Sequence, residues 1–295
     1  MENKDHRFRL LDTVYILMMI LPVVCGIVLK ILTTPQSEGI AIAGANVFFA
    51  IKMPLQDLVI TESQVNSWLV MIAVTGLCLF LTHGIKEKAD TKRQHIAEWI
   101  VENCEKLVSG NMGEYFMGFA PFVAAILSLS AFSSLIALFG LYAPTSDINV
   151  TAGWAILVFI LITYYKFKCG PVMYLKSFAE PVKFLAPLNI ISEFATPVSM
   201  AFRHYGNVLS GSVISVLLAS GLQGLTNIVL GGLPGFLGEF PFFRIGIPAV
   251  LSIYFDVFSG LLQAYIFAML TMLYVSGGFP AEEYFRRKQT QKQTI

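Results

Sequence analysis

The residues best suited to chemistry in this chain are charged and polar side chains inside otherwise apolar stretches. Arg203 lies deep within the apolar stretch 188–230. Asp256 and Gln263 lie within the last apolar stretch, 246–276. A charged residue at the centre of a membrane helix costs about 2.5–3.5 kcal/mol on insertion scales, so it usually faces an ion pathway or a partner. These residues therefore indicate ion transfer, and the alternative is a buried Arg that pairs with a carboxylate for structure alone.

The spacing of Asp256 and Gln263 supports a hydrated path along the last apolar stretch. They are seven residues apart, nearly two turns of an α-helix, so we expect them to share one helical face. Gly260 lies between them on that face and leaves room for water or a close partner. The alternative is that Asp256 is a carboxylate that packs against another helix.

Two further acids lie nearer the ends of apolar stretches. Glu193 precedes Arg203 along the same stretch, and Asp147 lies in the polar segment 144–151. Both are candidates for an ion path. A position among the lipid headgroups would explain Glu193 without a function, and capping of the next helix would explain Asp147. Small residues then follow Arg203 up to Gly224, which favours close approach of another helix, from this chain or from a neighbouring subunit.

The elements that must position these residues are membrane helices. The chain has 295 residues, of which 56% are hydrophobic and 13% charged, and its mean hydropathy is +0.69. Soluble domains are about a quarter charged. A helix that crosses the bilayer needs about 20 apolar residues. Six stretches meet this requirement: 11–33, 66–83, 117–141, 152–168, 188–230 and 246–276.

The fold class we predict is an all-α membrane protein with about six transmembrane helices. The fifth stretch is too long for one perpendicular crossing, so it must be tilted or broken, and Pro197 should bend it. The last two stretches form a long tilted helix pair. The first stretch is long for a signal peptide and no clear cleavage site follows it, so we expect a retained helix. The cysteines (Cys25, Cys78, Cys104 and Cys169) form no Cys-x-x-Cys pair, and no metal or cofactor is predicted.

The distribution of Lys and Arg predicts that both termini lie in the cytoplasm. With six spans, the cytoplasmic segments hold 16 of the 20 Lys and Arg residues. They are Lys4, Arg7, Arg9, Lys86, Lys88, Lys92, Arg93, Lys106, Lys166, Lys168, Lys176, Lys183, Arg286, Arg287, Lys288 and Lys292. Only Lys30, Lys52 and Arg244 fall outside, which is the asymmetry expected of loops that face the cytoplasm.

Two segments between spans have distinct characters. Residues 92–108 place Ile96, Trp99, Ile100, Cys104 and Leu107 on one helical stripe. This pattern predicts an amphipathic helix on the cytoplasmic face of the membrane, and a soluble helix packed on a partner is the alternative. Residues 40–62 are partly apolar, and we expect them to lie along the outer interface.

Five blocks of this sequence resemble motifs of subunit a of the F-type ATP synthase membrane sector. The most specific is Phe202-Arg-His-Tyr-Gly-Asn207, in which an essential Arg is followed by an aromatic residue, Gly and Asn. Blocks at 60–68, 144–151, 187–193 and 263–271 match in the same order. The resemblance spans about residues 60–278.

The resemblance implies two half-channels that lead to the carboxylates of a rotating ring of subunit c, with the essential Arg between them. It also implies a peripheral stalk of subunit b, a bacterial cell membrane, and no catalytic role for this chain; nothing predicts a nucleic-acid partner. Many members carry Glu at the position of Ser212 and His at that of Asp256, so the outer path here depends on one carboxylate and water. The site residues implied are Arg203, Asp256, Gln263, Glu193, Asn207, Asp147, Ser212 and His204.

The resemblance divides the chain into three parts. Residues 1–64 form an N-terminal extension with one extra transmembrane helix, residues 65–278 the subunit a core, and residues 279–295 a basic cytoplasmic tail. Within the core, we expect Glu193 and Asp256 on opposite sides of Arg203 along the membrane normal. We also expect Gln263 near the level of Arg203, whose face is left open to a partner helix.

Two other functions are weighed against this one. A proton-coupled secondary transporter would use Arg203 and Asp256 as a gated pair, but the sequence shows no internal repeat. An intramembrane hydrolase would need two Asp residues on facing helices, or a Ser with a His partner. Ser210 and Ser212 share a helix with His204, which is poor geometry for a triad.

Overall fold

Helices make up nearly all of the computed structural model, which describes residues 2–33, 44–54, 57–87, 91–179, 183–230, 250–251 and 253–279. The α-helices are α1 (Glu2–Thr33), α2 (Glu62–Thr82), α3 (Lys92–Met112), α4 (Ala120–Leu135), α5 (Ile148–Cys169), α6 (Pro171–Ser177), α7 (Ala186–Leu230) and α8 (Gly260–Gly277). Short 3₁₀ helices lie at Glu114–Phe119, Ile136–Phe139, Pro144–Ser146 and Lys183–Leu185. The chain divides into two compact units, and α7 and α8 contribute residues to both.

Unit 1 comprises Met1–His83, Leu129–Asp147 and Tyr205–Gln263, and unit 2 comprises Gly84–Ser128, Ile148–His204 and Ala264–Ile295. The six predicted spans are confirmed, because six helical segments of the described chain are long and apolar enough to cross a membrane. These segments are Phe8–Thr33, Glu62–Thr82, Glu114–Phe139, Ile148–Lys168, Lys183–Val229 and Ile253–Gly277. The predicted basic tail, 279–295, lies outside the described residues except for its first.

In unit 1, α1 packs antiparallel to α2 with contacts that repeat every seven residues along both helices. The contacts are Asp12 with His83, Met19 with Gly76, and Gly26 with Leu69. A Cβ on Gly76 would lie 3.1 Å from the backbone nitrogen of Met19, and a Cβ on Gly26 would lie 2.8 Å from Leu69 Cδ1. Small residues allow such close approach between membrane helices. The N-terminal helix is therefore an integral part of unit 1.

A β-hairpin leads into α2. Strand β1 (Val47–Ile51) pairs antiparallel with β2 (Leu58–Thr61), with a register irregularity between Val47 and Phe49. We expected residues 40–62 to lie along the interface but did not predict strands there. The runs are rich in β-branched and aromatic residues and too short to span the bilayer, which favours paired strands.

The long fifth stretch forms one continuous helix. α7 has 45 residues, and at 1.5 Å per residue it is roughly 67 Å long. This is about twice the thickness of the hydrocarbon core, so the helix must be strongly tilted or extend beyond it. Pro197 lies inside α7, and the helix continues through it.

The last span begins with a π-helix, Ile253–Ser259, that precedes α8. Its wider turns advance by a smaller angle per residue, and such segments are frequent at functional sites. The shared face of Asp256 and Gln263 was predicted from α-helical geometry, which the structure does not show over 253–259. Close packing follows at once, because a Cβ on Gly260 would lie 2.6 Å from Ser134 Cβ.

The main hydrophobic core lies in unit 2. It includes Val123, Val158, Phe267 and Met272 at its centre, and it extends to the C-terminal turns of α3 through Val108. Of the predicted α3 stripe, Leu107 packs against this core, whereas Ile96, Trp99 and Ile100 are exposed. The described chain does not cover this apolar face, as the amphipathic pattern predicts for a helix at a membrane interface or against a partner.

Candidate functional site

Arg203 lies on α7 within a membrane span, and its side chain is exposed on the surface of the chain. Among the described residues, no hydrogen bond or ion pair joins the guanidinium to another group, and Glu193 of the same unit pairs elsewhere. An unpaired arginine is costly in a membrane unless a partner or water meets it. The surface around Arg203 is therefore a candidate contact for a group outside this chain.

The neighbouring His204 points the other way, into the core of unit 2. Its side chain is fully buried, and its ring meets the edges or faces of Trp154 and Phe267 at centroid distances of 5.8 Å and 5.4 Å. Adjacent residues on a helix diverge by about 100°, which separates these two side chains. This environment is typical of a packing residue, and an ion-binding role for His204 stays a prediction.

Glu193 is the centre of a second group in unit 2, which we name the Glu193 cluster: Lys166, Tyr174 and Glu193. The Lys166 ammonium donates to both carboxylate oxygens, with Nζ to Oε1 at 2.6 Å and Nζ to Oε2 at 2.7 Å. The Tyr174 hydroxyl donates to Oε1 at 3.4 Å. Burial raises the pKa of Tyr174, and the nearby Glu193 charge raises it further, so the phenol remains a donor.

A pocket of about 180 Å³ adjoins this cluster. Lys166, Glu193 and Thr196 supply its polar lining, and Phe159, Ile162 and Leu273 line its apolar side. Polar partners and sufficient room are the two conditions for ordered water in a protein interior. The pocket meets both, so it could hydrate the free lone pairs of the Glu193 carboxylate.

In unit 1, α7 is fastened to the π-helix by a side-chain exchange. Asn207 Nδ2 donates to the Ser259 carbonyl oxygen at 3.4 Å, and Ser259 Oγ donates to Asn207 Oδ1 at 3.1 Å. One turn further along, a Cβ on Gly211 would lie 3.0 Å from Phe255 Cβ. The Asn207 amide and the close approach allowed by Gly211 together set the position of the segment that carries Asp256.

The other predicted residues of unit 1 fall on or beside this contact. Asp256 is half-buried on the π-helix, and Gln263 is 4% exposed on α8. Ser212 is exposed, and its hydroxyl donates to the Leu209 carbonyl at 2.8 Å. Ser212 directly follows Gly211 and Asp256 directly follows Phe255, so each is adjacent in sequence to a residue of this contact.

A third group, which we name the Glu62 cluster, comprises Lys30, Asn46, Glu62, Ser63 and Asp147. Glu62 is 3% exposed; Asn46 Nδ2 donates to its Oε2 at 2.9 Å, and Lys30 Nζ lies 3.6 Å from its Oε1. Ser63 donates to the Asp147 carboxylate. Asp147 also immediately precedes α5, where a capping residue belongs. The cluster thus ties the hairpin, α1, α2 and the 144–146 turn together.

Sequence reasoning missed Glu62 and Lys166. Glu62 opens an apolar span, a position at which an acid is easily explained by the helix N-terminus. Lys166 lies in the last turn of α5 and was counted only as a charge of the cytoplasmic loop. The Lys166–Glu193 pair has a signal in the sequence: an acid lies within one span, and a basic residue lies at the end of the preceding span.

The sequence of this chain is similar to those of known ATP synthase subunits. A sequence model described as ATP synthase A chain matches residues 64–276. A protein named ATP synthase subunit a from Macrococcus caseolyticus is 33% identical over 226 residues, which cover 71% of this chain and 88% of the relative. Proteins of the same name from Bacillus pumilus and from Legionella pneumophila strain Philadelphia 1 are 32% and 29% identical over 234 and 228 residues. They cover 74% and 77% of this chain, and 92% and 90% of the relatives.

The chain belongs to the ATP synthase A chain family. The predicted resemblance is confirmed, and the chain is a multi-pass membrane protein that takes part in ATP synthesis and ion transport as a subunit of the F0 sector. All eight predicted site residues lie within the matched range of this ATP synthase subunit. Glu62 and the whole of α1 precede that range.

The relative placement of Arg203, Asp256 and Gln263 stays a prediction, because Arg203 belongs to unit 2 and the other two belong to unit 1. Within each unit the structure brings together Glu193 with Lys166, and Asn207 with Ser259. These contacts give Glu193 and Asn207 specific partners in this chain.

Proposed function

We propose that this chain is the ion-conducting stator subunit of the F0 sector, and that it carries protons through two offset half-channels to the carboxylates of a ring of subunit c. The observation that carries the proposal is the Arg203 side chain, which is exposed within a membrane span and makes no hydrogen bond or ion pair with the described residues. A passing carboxylate of another subunit is the natural partner for this charge.

The physical chemistry of a buried carboxylate explains how Arg203 acts. A ring carboxylate that faces lipid must be neutral, because an unpaired charge there is too costly. Opposite Arg203 it is favoured as an anion, because an opposite charge stabilises the ionised form. Since Arg stays protonated at working pH, it attracts the anion and blocks a direct leak of protons between the half-channels. Each charge that crosses 100 mV releases about 2.3 kcal/mol, which drives rotation.

The two half-channels use different residues. The Glu193 cluster and its pocket serve the path from the cytoplasm, in the orientation that the Lys and Arg distribution favours. Asp147 and Asp256 serve the outer path, with Asn207, Ser212 and Gln263 as polar neighbours. Ser212 carries no charge, so Asp256 is the main group that binds and releases protons there.

The partners and location follow from the same role. The exposed Ser210 leaves room on α7 for a helix of the ring, whereas Gly211 packs against Phe255 within this chain. Subunit b, as the peripheral stalk, holds the chain against rotation. The chain lies in a bacterial cell membrane with both termini in the cytoplasm, conducts ions without a cofactor or catalytic step of its own, and has no nucleic-acid partner.

The test is Arg203→Ala in the assembled ATP synthase, studied in inverted membrane vesicles. We expect the variant to insert and assemble but to lose ATP-driven proton pumping by a factor of about 100 or more, since a charge met only by the ring is removed. Val198→Ala, an exposed residue on the same helix, is the control and should pump normally. Pumping near the wild-type rate in Arg203→Ala would refute the proposal.

A further inference from the structure

Lys166 does not behave as a lysine at the end of a membrane helix usually does. Such a lysine extends its stem towards the headgroups and keeps its ammonium in water. Here the side chain is 23% exposed and the ammonium is bonded to both oxygens of Glu193, whose side chain is 17% exposed. The charge is thus turned inward to α7.

Contacts with α6, α7 and the C-terminal end of α8 hold Lys166 in this position, and Glu193 supplies the contact from α7. Its stem packs on the C-terminal end of α8, where a Cβ on Gly278 would lie 3.0 Å from Lys166 Cγ. Its ammonium lies 5.6 Å from the centroid of the Tyr174 ring on α6. The same Tyr174 donates to Glu193. A charge fixed by a glycine notch, an aromatic ring and a two-oxygen contact is preorganised.

The contrast with an ordinary surface pair supports this interpretation. Lys106 and Glu102 on α3 are one helical turn apart, and their side chains are 69% and 62% exposed. Exposed pairs of this kind contribute little. The Lys166–Glu193 contact instead joins two separate helices and borders a pocket of about 180 Å³.

We propose that Lys166 is a positioning residue for ion conduction: its ammonium holds the Glu193 carboxylate against the pocket as a neutral pair, so that ions pass Glu193 without being trapped there. The proposal rests on the proposed function of this chain. A carboxylate has about four acceptor positions. Lys166 and Tyr174 occupy three of them, which leaves one for water in the pocket.

The central experiment is a double-mutant cycle in reconstituted F0, with passive proton flux as the measurement. Lys166→Met keeps the stem on Gly278 and removes the charge, and we expect the flux to fall about fivefold because Glu193 loses its counter-charge. Lys166→Arg restores the charge and should recover most of the flux. Lys166→Met should cost nothing further in a Glu193→Gln background, because residues that act through one contact are not additive.

The matched control is Lys106→Met, which removes a lysine charge from an exposed pair in the same unit and should leave the flux unchanged. If Lys166→Met lowers the flux equally with and without the Glu193 carboxylate, Lys166 does not act through Glu193 and the inference is overturned. If Glu193→Gln itself leaves the flux unchanged, the path runs elsewhere and the proposed role of Glu193 fails instead. The two failures are therefore distinguishable.

A second measurement does not depend on flux or on the stability of the lysine variants. In a chain whose native cysteines are replaced by alanine, Thr196→Cys places a thiol on the pocket wall. We expect a small water-soluble cationic thiol reagent to modify it in the otherwise unaltered, assembled F0. Protection of Thr196→Cys from the reagent would show a dry pocket and would overturn the inference.

Discussion

The Glu62 and Glu193 clusters hold their acids in opposite ways. Glu62 is almost fully buried, its nearest donor is the neutral Asn46 amide, and its cation Lys30 is 3.6 Å away. Glu193 is half-buried, receives an ammonium directly at 2.6 Å and 2.7 Å, and borders a pocket. One acid is enclosed by several elements, and the other faces space that water can fill.

We infer that the difference separates an acid that holds the fold from an acid that serves the proposed conduction. A buried carboxylate satisfied by fixed donors fastens the elements that supply them, and removing it leaves those donors without a partner. A carboxylate beside a hydrated pocket retains a position at which a proton or water can bind. We therefore expect substitutions of Glu62 to change stability and substitutions of Glu193 to change flux.

Among the acids, the largest effect should come from Asp256, which tests whether the difference between Glu62 and Glu193 also applies to an acid on the π-helix. Asp256 is half-buried, like Glu193. We expect Asp256→Asn to lower proton flux tenfold or more, because Asp256 is the main group that binds and releases protons on the proposed outer path. The measurement is ATP-driven pumping in inverted vesicles.

Ser212→Glu supplies the control for this prediction. Ser212 directly follows Gly211, which contacts the residue before Asp256, so a carboxylate at 212 would lie next to this contact. We expect Ser212→Glu to restore part of the flux lost in Asp256→Asn. Unchanged pumping in Asp256→Asn would mean that the outer path depends on Asp147 alone.

The next effect concerns Glu62 and should appear in stability. Glu62→Ala removes the acceptor of Asn46 and the counter-charge of Lys30, which still donates to the Gly140 carbonyl. We expect a loss of about 2–3 kcal/mol, reduced from the value for a fully buried pair because Lys30 is partly exposed. Thermal unfolding in detergent measures it, and Glu62→Gln, which retains an acceptor for Asn46, should lose less. Flux per assembled complex should stay within about twofold. A large loss of flux with normal stability would place Glu62 with the conducting acids.

The sequence predicted these regions unequally. The six spans and Arg203 follow from hydropathy and from the cost of a charge in the bilayer, which are both written in local composition. The hairpin at 47–61 was missed because its strands are short and gain their stability from pairing. The π-helix was missed because hydrophobic spacing alone does not reveal an inserted residue. Lys166 was missed because its partner lies on another helix, which no local pattern records.

A smaller effect should come from the packing that positions Asp256. Gly260→Ala would place a Cβ 2.6 Å from Ser134 Cβ, so we expect a loss of about 1–2 kcal/mol from overpacking. Ser134→Gly should relieve the clash in the double variant. If Gly260→Ala is as stable as the unaltered chain, the π-helix is not held by this contact.

The smallest effect should come from the exposed pair on α3, which sets the lower limit of the comparison. The hydrogen bond from Lys106, together with its charge, lowers the pKa of Glu102 below its ordinary value of 4.5. Because the folded state has the lower pKa, the pair favours folding at pH above that ordinary value, and this contribution disappears as the pH falls through the lowered value.

In Lys106→Ala the Glu102 pKa should return towards its ordinary value, which a titration of the Glu102 carboxyl carbon by NMR measures. At neutral pH the loss of stability should be small, since both groups are in contact with solvent that screens them, and flux should be unchanged. A measurable loss of flux in Lys106→Ala would show that exposed charges on α3 also act on conduction, and burial against a pocket would then no longer distinguish the Lys166–Glu193 pair.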